Sequence, residues 1–516
     1  MKKSISLLLL LCLLTTLCAF SVSAATTSPV SEDTVRFLGR WTDDSNGHSM
    51  NWPLSGIEFS FEGTGAEVYI SRKTGTVYAN ICIDGEEQPD RMKINSTGWV
   101  TLAEGLPQGT HTISFTRSSE AWSGKLSVSQ VRTTGTSGPV ATQEKDRKIM
   151  FVGDSYTAGY GNMASEGEVV DYTDAWTAWA GYASRALNAD AHVIAYAGKG
   201  ILNGRNHLTM PEEFECADCI TGSEERVPWD HSLYQPQVIV IFLGTNDGGY
   251  GIDEFCNAYV DFLENMRKNY PNAAIVCCGK PDYTGGGAQE ILGHRQTSCA
   301  QRVVQEMGGA AEKFYSLSLT SFKASGIGSH PLASEQKAMA DQLTQMLLGI
   351  DELWGETAEG FQLSRQDGEA RAEVSVTNLE STEKSYSLFV YALEEQDGVK
   401  QLKDATVTTQ VIPAGQSAKI TANLPDDTAE VKASVVETAS LRPLLPAASL
   451  ARWGAVYQGS EEDEEGKVVS VYRVDGFPPE AALGPQGAVY LGNEVGEDGT
   501  EISVFRVDGF DSEDRE

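Results

Sequence analysis

Ser155, Gly198, Asn246 and His330 are, in chain order, a hydroxyl, a backbone amide that no side chain covers, a carboxamide and an imidazole. Those are the parts that acyl transfer at a carbonyl requires. A serine hydroxyl is a poor nucleophile near neutral pH unless a base takes its proton. His330 suits that task, because imidazole titrates in this range and can later protonate a leaving alcohol. The tetrahedral intermediate carries an oxyanion, and the amides of Ser155 and Gly198 with the Asn246 carboxamide are candidate donors to it. Each residue alone has an ordinary structural use: a turn glycine, a capping asparagine, a surface histidine before a helix. Four of them at strand ends of one domain are a much rarer coincidence.

The strand ends are read from hydropathy. Residues 148–152 form a short apolar run that breaks at Gly153, Asp154 and Ser155, lifting the serine hydroxyl to a sheet edge. Asp154 is expected to hold that turn by hydrogen bonds. Strands are predicted at 148–153, 191–197, 237–243, 273–279 and 313–319, and helices over 174–188, 252–269, 287–307 and 332–349. Near-continuous apolar strands alternating with helices imply a three-layer α/β domain over 148–350, its parallel sheet covered on both faces. Such sheets bind ligands beyond the carboxyl ends of their strands, where Ser155 and Asn246 fall.

The rest of the 516-residue chain reads as modules around that domain. Residues 1–24 look like an export signal: Lys2 and Lys3, an apolar run over 7–14, then Val22-Ser23-Ala24. The run is shorter than the ~20 apolar residues of a membrane span, so a secreted protein is expected. Residues 33–134 alternate apolar and polar positions between turns such as 63–65, 84–85 and 105–109, the pattern of a β-sandwich of jelly-roll type. A Thr-, Gly- and Ser-rich linker occupies 135–147. Residues 360–440 predict an Ig- or fibronectin-like β-sandwich, and 451–516 repeat one acidic β-hairpin-like unit twice. An attachment role at a cell surface or on carbohydrate is the expectation for these C-terminal modules.

A formal net charge of −33 disfavours nucleic acid and anionic surfaces as partners and suits a neutral polymer or a small ester. Of the nine cysteines, Cys12 and Cys18 lie in the export signal. The remainder are too scattered for a small-domain disulfide framework. Cys216 and Cys219 could pair locally, while Cys277 and Cys278 read as buried small hydrophobes. A lone C-x-x-C without further ligands argues against zinc, and Asp475 and Asp508 in the tail lack the ligand spacing of a calcium loop. No metal and no cofactor are expected.

The strings G-D-S-Y-T-A-G-Y-G-N, A-G-K-G-I and L-G-T-N-D, with Ser329-His330-Pro331, resemble the blocks of the SGNH (GDSL-type) hydrolases. The resemblance is nearer to carbohydrate esterase family 2, whose members remove acetyl groups from plant polysaccharides. Asp84-Gly85, Gly109-Thr110-His111 and residues 117–120 are similar to the jelly-roll domain those enzymes carry. The likeness covers about 33–350 and implies Ser155 as nucleophile, His330 as base, and Ser155, Gly198 and Asn246 as oxyanion donors. Many SGNH enzymes place an aspartate three residues before the histidine; here that position is Ile327. Members of the resembled family use a Ser–His dyad with a main-chain carbonyl holding the ring, and Gly326 and Gly328 leave room for one.

Substrate contacts are expected from Tyr156, Tyr160, Trp176 and Trp229, because sugar rings stack on aromatic faces. Trp176 and Trp179, at helical spacing, also fit a core. His207 and His231 in the long loop over 203–230 and beyond read as ordinary loop residues. The reading is a secreted esterase acting on O-acetyl groups of acetylxylan or glucomannan. Its alternatives are a carbohydrate-binding or adhesion protein with a weak hydrolase domain, or an esterase of lipid or peptidoglycan esters.

Overall fold

A computed structural model describes residues 25–450 apart from 146, 206–207, 220–225, 280–287, 321–323 and short turns beyond 350, and in the tail only backbone strands between 455 and 507. The described residues form two compact units, those up to 184 with 189–340, and 185–188 with those from 341 on.

The first unit holds two cores. The β-rich one is built on strand Gly56–Lys73, which pairs antiparallel with Gly109–Arg117, Leu126–Gly135 and Gly98–Ala103. Alternation puts Ile57, Phe59, Phe61, Val68 and Ile70 on one side, against Ile113, Phe115, Val128 and Val131. The turn expected at 63–65 is absent, because the strand runs straight through it. Gly63 and Gly65 serve a close approach instead: a Cβ on Gly63 would lie 2.3 Å from the Thr134 carbonyl oxygen. Without side chains there, one long strand crosses its neighbours rather than folding back.

The α/β core has five parallel strands, β1 (Arg147–Gly153), β2 (Ala189–Ala195), β3 (Val238–Phe242), β4 (Ala274–Gly279) and β5 (Phe314–Ser318), in the spatial order β2-β1-β3-β4-β5. Every residue of β3 and β4 is buried, as helices on both faces require. This order reverses direction between β1 and β3, so the crevice for a ligand opens beyond their carboxyl ends. Helix Ile252–Asn269 buries Phe255, Cys256, Tyr259, Phe262, Leu263 and Met266 on one stripe. Asp253 and Glu254 in its first turn and Arg267 and Lys268 in its last oppose the helix dipole. The helix expected from 174 starts only at Trp179. Asp174 explains the delay: its carboxylate accepts from the Trp176 amide, the Thr177 hydroxyl and Ser118 Oγ, which holds 174–178 in a loop.

The β-rich and α/β parts are knitted together by buried polar contacts. Asn51 Nδ2 donates to the Cys219 carbonyl (2.9 Å) and Asn51 Oδ1 accepts from the Cys219 amide (2.9 Å). Trp52 Nε1 donates to the Ala217 carbonyl (3.0 Å), and the Arg40 guanidinium to those of Phe214 and Cys216. Cys216 and Cys219 are free and buried rather than joined, while Cys256 and Cys299 pair between two helices. Cys277 and Cys278 are fully buried in β4.

In the second unit, Glu369–Asn378 with its neighbours and Lys384–Gln396 with Val399–Ile412 and Glu430–Glu437 face a core that includes Val374, Val376, Leu388, Val390, Ile420 and Val435. The tail repeat is visible in its register. Ala455–Glu462 pairs with Val468–Val474 and Ala488–Val495 with Glu501–Val507, and both hairpins bulge after the same tyrosine of the repeat, Tyr457 and Tyr490. Asp475 and Asp508 lie outside the described residues. Among the described residues, no helix is long and apolar enough to cross a membrane.

Candidate active site

Strand β1 ends at Gly153, and Asp154 caps a one-turn helix, Ser155–Ala158, through Oδ1 on the Tyr156 amide (3.0 Å). Ser155 is therefore the first helical residue, and its amide has no carbonyl one turn back to bond. Its Oγ lies 2.8 Å from His330 Nε2, and His330 Nδ1 lies 3.1 Å from the Ile327 carbonyl oxygen. A carbonyl can only accept, so the ring proton sits on Nδ1 and the Nε2 lone pair faces the hydroxyl. That is the tautomer a general base needs. The ring is flanked by Tyr160 at 4.5 Å and Tyr156 at 5.3 Å between centroids.

The turn that carries the histidine is closed on itself. The Gly326 amide donates to the His330 carbonyl (2.7 Å), and the Ile327 amide donates to the carbonyls of Gly161 and Ala164. Ser329 takes a positive φ of 61° to complete the turn. Ile327 thus stands where an aspartate would stand, and its main chain makes the contact to Nδ1.

Gly198 follows β2 with φ +84°, a conformation that L side chains rarely adopt. A Cβ there would come within 2.4 Å of Arg205 Cδ, so the Arg205 side chain lies directly over this turn. Asn246 follows β3, and its Nδ2 donates to the Lys199 carbonyl (2.9 Å) and to Asp154 Oδ2 (3.2 Å). Asp154 therefore holds both the Ser155 helix and the Asn246 carboxamide. Asp247, buried beside it, accepts from the amides of Ile201, Leu202 and Asn203. Asn203 Nδ2 donates to the carbonyls of Gly198 (3.3 Å) and Asn246 (3.0 Å), tying the two turns together. Below them Lys199 and Glu213 form a fully buried ion pair at 3.0 Å, and Lys199 Nζ also donates to the carbonyls of Arg205 and Leu208.

Residues 37–142 match the family described as carbohydrate esterase 2 N-terminal, and residues 151–343 match the GDSL-like lipase/acylhydrolase family. Residues 37–343 thus pair the N-terminal domain of the family 2 carbohydrate esterases with a GDSL-like (SGNH) hydrolase domain. The cellulase/esterase CelE of Acetivibrio thermocellus is 31% identical over 326 residues, 60% of this chain but only 39% of that protein. An acetylxylan esterase / glucomannan deacetylase of Cellvibrio japonicus is 25% identical over 345 residues, covering 64% of this chain and 92% of the relative. A solved family two carbohydrate esterase from Clostridium thermocellum, in complex with cellohexaose, superposes at a TM-score of 0.54 with 29% identity, over 61% of this chain and 98% of that one. By family the protein is a carboxylic ester hydrolase.

Within the matched residues the structure gathers Ser155, His330, Gly198 and Asn246 around the carboxyl ends of β1, β2 and β3. Tyr160 is half-buried on the histidine, and Tyr156 is buried behind it, packed also on Phe242 at 5.7 Å. Trp176 stands half-exposed with its amide on Asp174, while Trp179 is fully buried. Trp229 is not brought to Ser155. It is buried 5.8 Å from His192, in the middle of β2, and 5.0 Å from the Arg40 guanidinium. His231 bonds Tyr270 and Glu215, and His207 lies outside the described residues. Sequence reasoning did not single out Asn203, Asp247 or the Lys199–Glu213 pair. Their signal, a polar residue within a few positions of each motif glycine, is too common to stand out.

Proposed function

We propose that the protein is an exported serine deacetylase that removes O-acetyl groups from polysaccharides of the acetylxylan or glucomannan type. One observation carries the reading: the line from the Ile327 carbonyl through His330 to Ser155 Oγ, with both bonds at hydrogen-bond distance. Ser155 Oγ attacks the acetyl carbonyl carbon while Nε2 takes its proton. The oxyanion forms against the Ser155 and Gly198 amides and the Asn246 carboxamide, which would turn from Asp154 to meet it. On collapse, His330 returns the proton to the sugar oxygen and the acetyl group stays on Ser155. Water, deprotonated by the same imidazole, then attacks the acetyl-enzyme and acetate leaves. No step calls on a cofactor.

The substrate class is supported by the Cellvibrio japonicus relative's name, and export by the composition of residues 1–24. We read the β-rich domain as a jelly-roll sandwich, 360–440 as an Ig-like module and the tail hairpins as an attachment module at a cell surface or on carbohydrate. A second reading, glucan binding at the same crevice, is favoured by the cellohexaose complex of the Clostridium thermocellum relative. Acetate release from acetylated xylan and acetylated glucomannan by residues 25–516, with Ser155→Ala as control, tests the proposal. Release that vanishes in the control supports it. Folded protein that is silent on both polymers and on short-chain esters overturns it in favour of binding.

A further inference from the structure

The β-rich domain sends one segment into the esterase centre. Strand Gly109–Arg117 ends against the α/β domain, where the Ser118 hydroxyl donates to Asp174 Oδ1 (2.7 Å) and the Ser118 carbonyl accepts from the Ala175 amide (2.9 Å). Two residues on is Glu120, whose side chain is 1% exposed. Its Oε2 accepts from the Ala121 amide at 3.1 Å, and the Ala197 amide, next to Gly198, bears on the same carboxyl. Oε1 is buried with no well-formed hydrogen bond among the described residues. The neighbouring cation does not neutralise it directly. Arg117, itself fully buried, directs Nη2 to the Glu120 backbone carbonyl (2.6 Å) and Ser123 Oγ (2.9 Å), and Nε to the Ser119 carbonyl (3.2 Å).

We infer that Glu120 is a positioning residue of the esterase: a neutral carboxylic acid that braces the Ala197–Gly198 turn beside Asp154. The inference rests on the serine-esterase reading. Its physical basis is the charge already present. Asp154 spends both oxygens on holding the Ser155 helix and Asn246. A second carboxylate in the same dry space would oppose Asp154 and the negative charge that develops on the oxyanion. A neutral acid fills the space and adds no charge. Burial pushes Glu120 up to about 8, with Asp154 adding to the rise, while the Ala121 and Ala197 amides and Arg117 pull the other way. Cys219, on the segment that also carries Glu213, faces it as well, and burial keeps that thiol protonated.

The sign of the pH dependence follows. Unfolded, the glutamate ionises near 4.5, whereas in the folded protein it does so near 8. Below the lower value both states hold the proton. Between the two the folded protein keeps a proton that the unfolded chain has lost, so this residue's contribution to stability falls as pH rises, and above about 8 the loss is complete. Glu120→Gln keeps the shape and stays neutral.

The test compares full-length wild type, Glu120→Gln and Glu120→Ala, with Ser155→Ala as blank, on 4-nitrophenyl acetate between about pH 5 and 10. Expected for wild type is a kcat that falls about tenfold above pH 8 at steady KM. Glu120→Gln should keep at least about a third of the wild-type kcat near neutral pH, lack the alkaline fall, and melt above wild type at alkaline but not acidic pH. Glu120→Ala should lose about 10- to 100-fold in kcat with KM unchanged. A Glu120→Gln profile that falls with the wild type, or a Glu120→Ala kcat within about twofold of wild type, overturns the inference. If Glu120→Ala does not fold, the Glu120→Gln profile decides alone. Wild type no faster than the blank would sink the esterase reading instead, and the melting comparison would still show whether Glu120 is neutral.

Discussion

The Ser155 side and the His330 side of this site are held in different ways. Ser155, Gly198 and Asn246 sit on turns at the ends of three adjacent strands, cross-tied by buried Asp154 and Asp247 and half-buried Asn203, with the Lys199–Glu213 pair beside them. His330 sits on a five-residue turn held by main-chain bonds to Gly161 and Ala164 and by solvent-exposed bonds from Ser325 to Glu335. The first region has preorganised donors in a low-dielectric setting, where fixed dipoles act most strongly. The second has one essential contact, the Ile327 carbonyl, supplied by backbone that every sequence carries. On the proposed mechanism the electrostatic work is concentrated on the oxyanion side, and the base needs only a fixed tautomer.

The comparison breaks most completely if the two sides are not one machine. Ser155→Ala and His330→Ala should each lower kcat by about 10³-fold or more, and the double variant should be no worse than either, because residues acting as a unit are not additive. Acetate release under single-turnover conditions measures this. Losses that multiply in the double variant would show that His330 does not act through Ser155.

Next in size is the donor side. Asn246→Ala should reduce kcat by about 10²–10³-fold with KM little changed, the usual cost of one oxyanion donor. A change confined to KM would place Asn246 in ground-state binding instead.

Stability should divide along the same line. Lys199→Met removes the cation from buried Glu213 and should cost about 3–5 kcal/mol. Glu335→Gln weakens two exposed bonds to Ser325 and one part-buried bond to the Leu332 amide, replaces no buried charge, and should cost about 1 kcal/mol. Urea unfolding of both variants checks the contrast, and equal losses would mean that the histidine turn is as deeply built as the strand ends.

This division also explains what was legible in the sequence. Strands β1, β3 and β4 could be read because continuous apolar runs leave no alternative to burial on both faces. The convergence of Ser155, Gly198 and Asn246 could be anticipated because each closely follows an apolar strand, and His330 because an imidazole just before the last helix can complete that set. Asn203, Asp247 and Glu213 could not, since a polar residue that bonds backbone amides across a fold is indistinguishable in sequence from one that faces water. The turn expected at 63–65 failed for a related reason. Glycine marks a close approach as readily as a reversal, and only the position of Thr134 tells which. Trp229 was expected among substrate contacts because an aromatic in a long loop looks like a sugar platform, yet Arg40 and His192 claim its faces.

The smallest expected effect bears on Ile327. Its side chain occupies the position of the missing aspartate, but the contact to Nδ1 is made by its carbonyl, and its amide is tied to Gly161 and Ala164. Ile327→Ala leaves all three main-chain contacts available, so kcat should stay within about threefold of wild type. Ile327→Asp should gain little, because Nδ1 has one hydrogen and the carbonyl already accepts it. A fall of about 100-fold in Ile327→Ala would mean that side-chain packing on Gly161, rather than the carbonyl, positions the ring. A rise of about tenfold in Ile327→Asp would mean that the neutral acceptor limits the rate, since a carboxylate stabilises the imidazolium better than a carbonyl does. Near-wild-type rates in both would leave the base side as the less demanding half of the site, with its chemistry fixed by backbone alone.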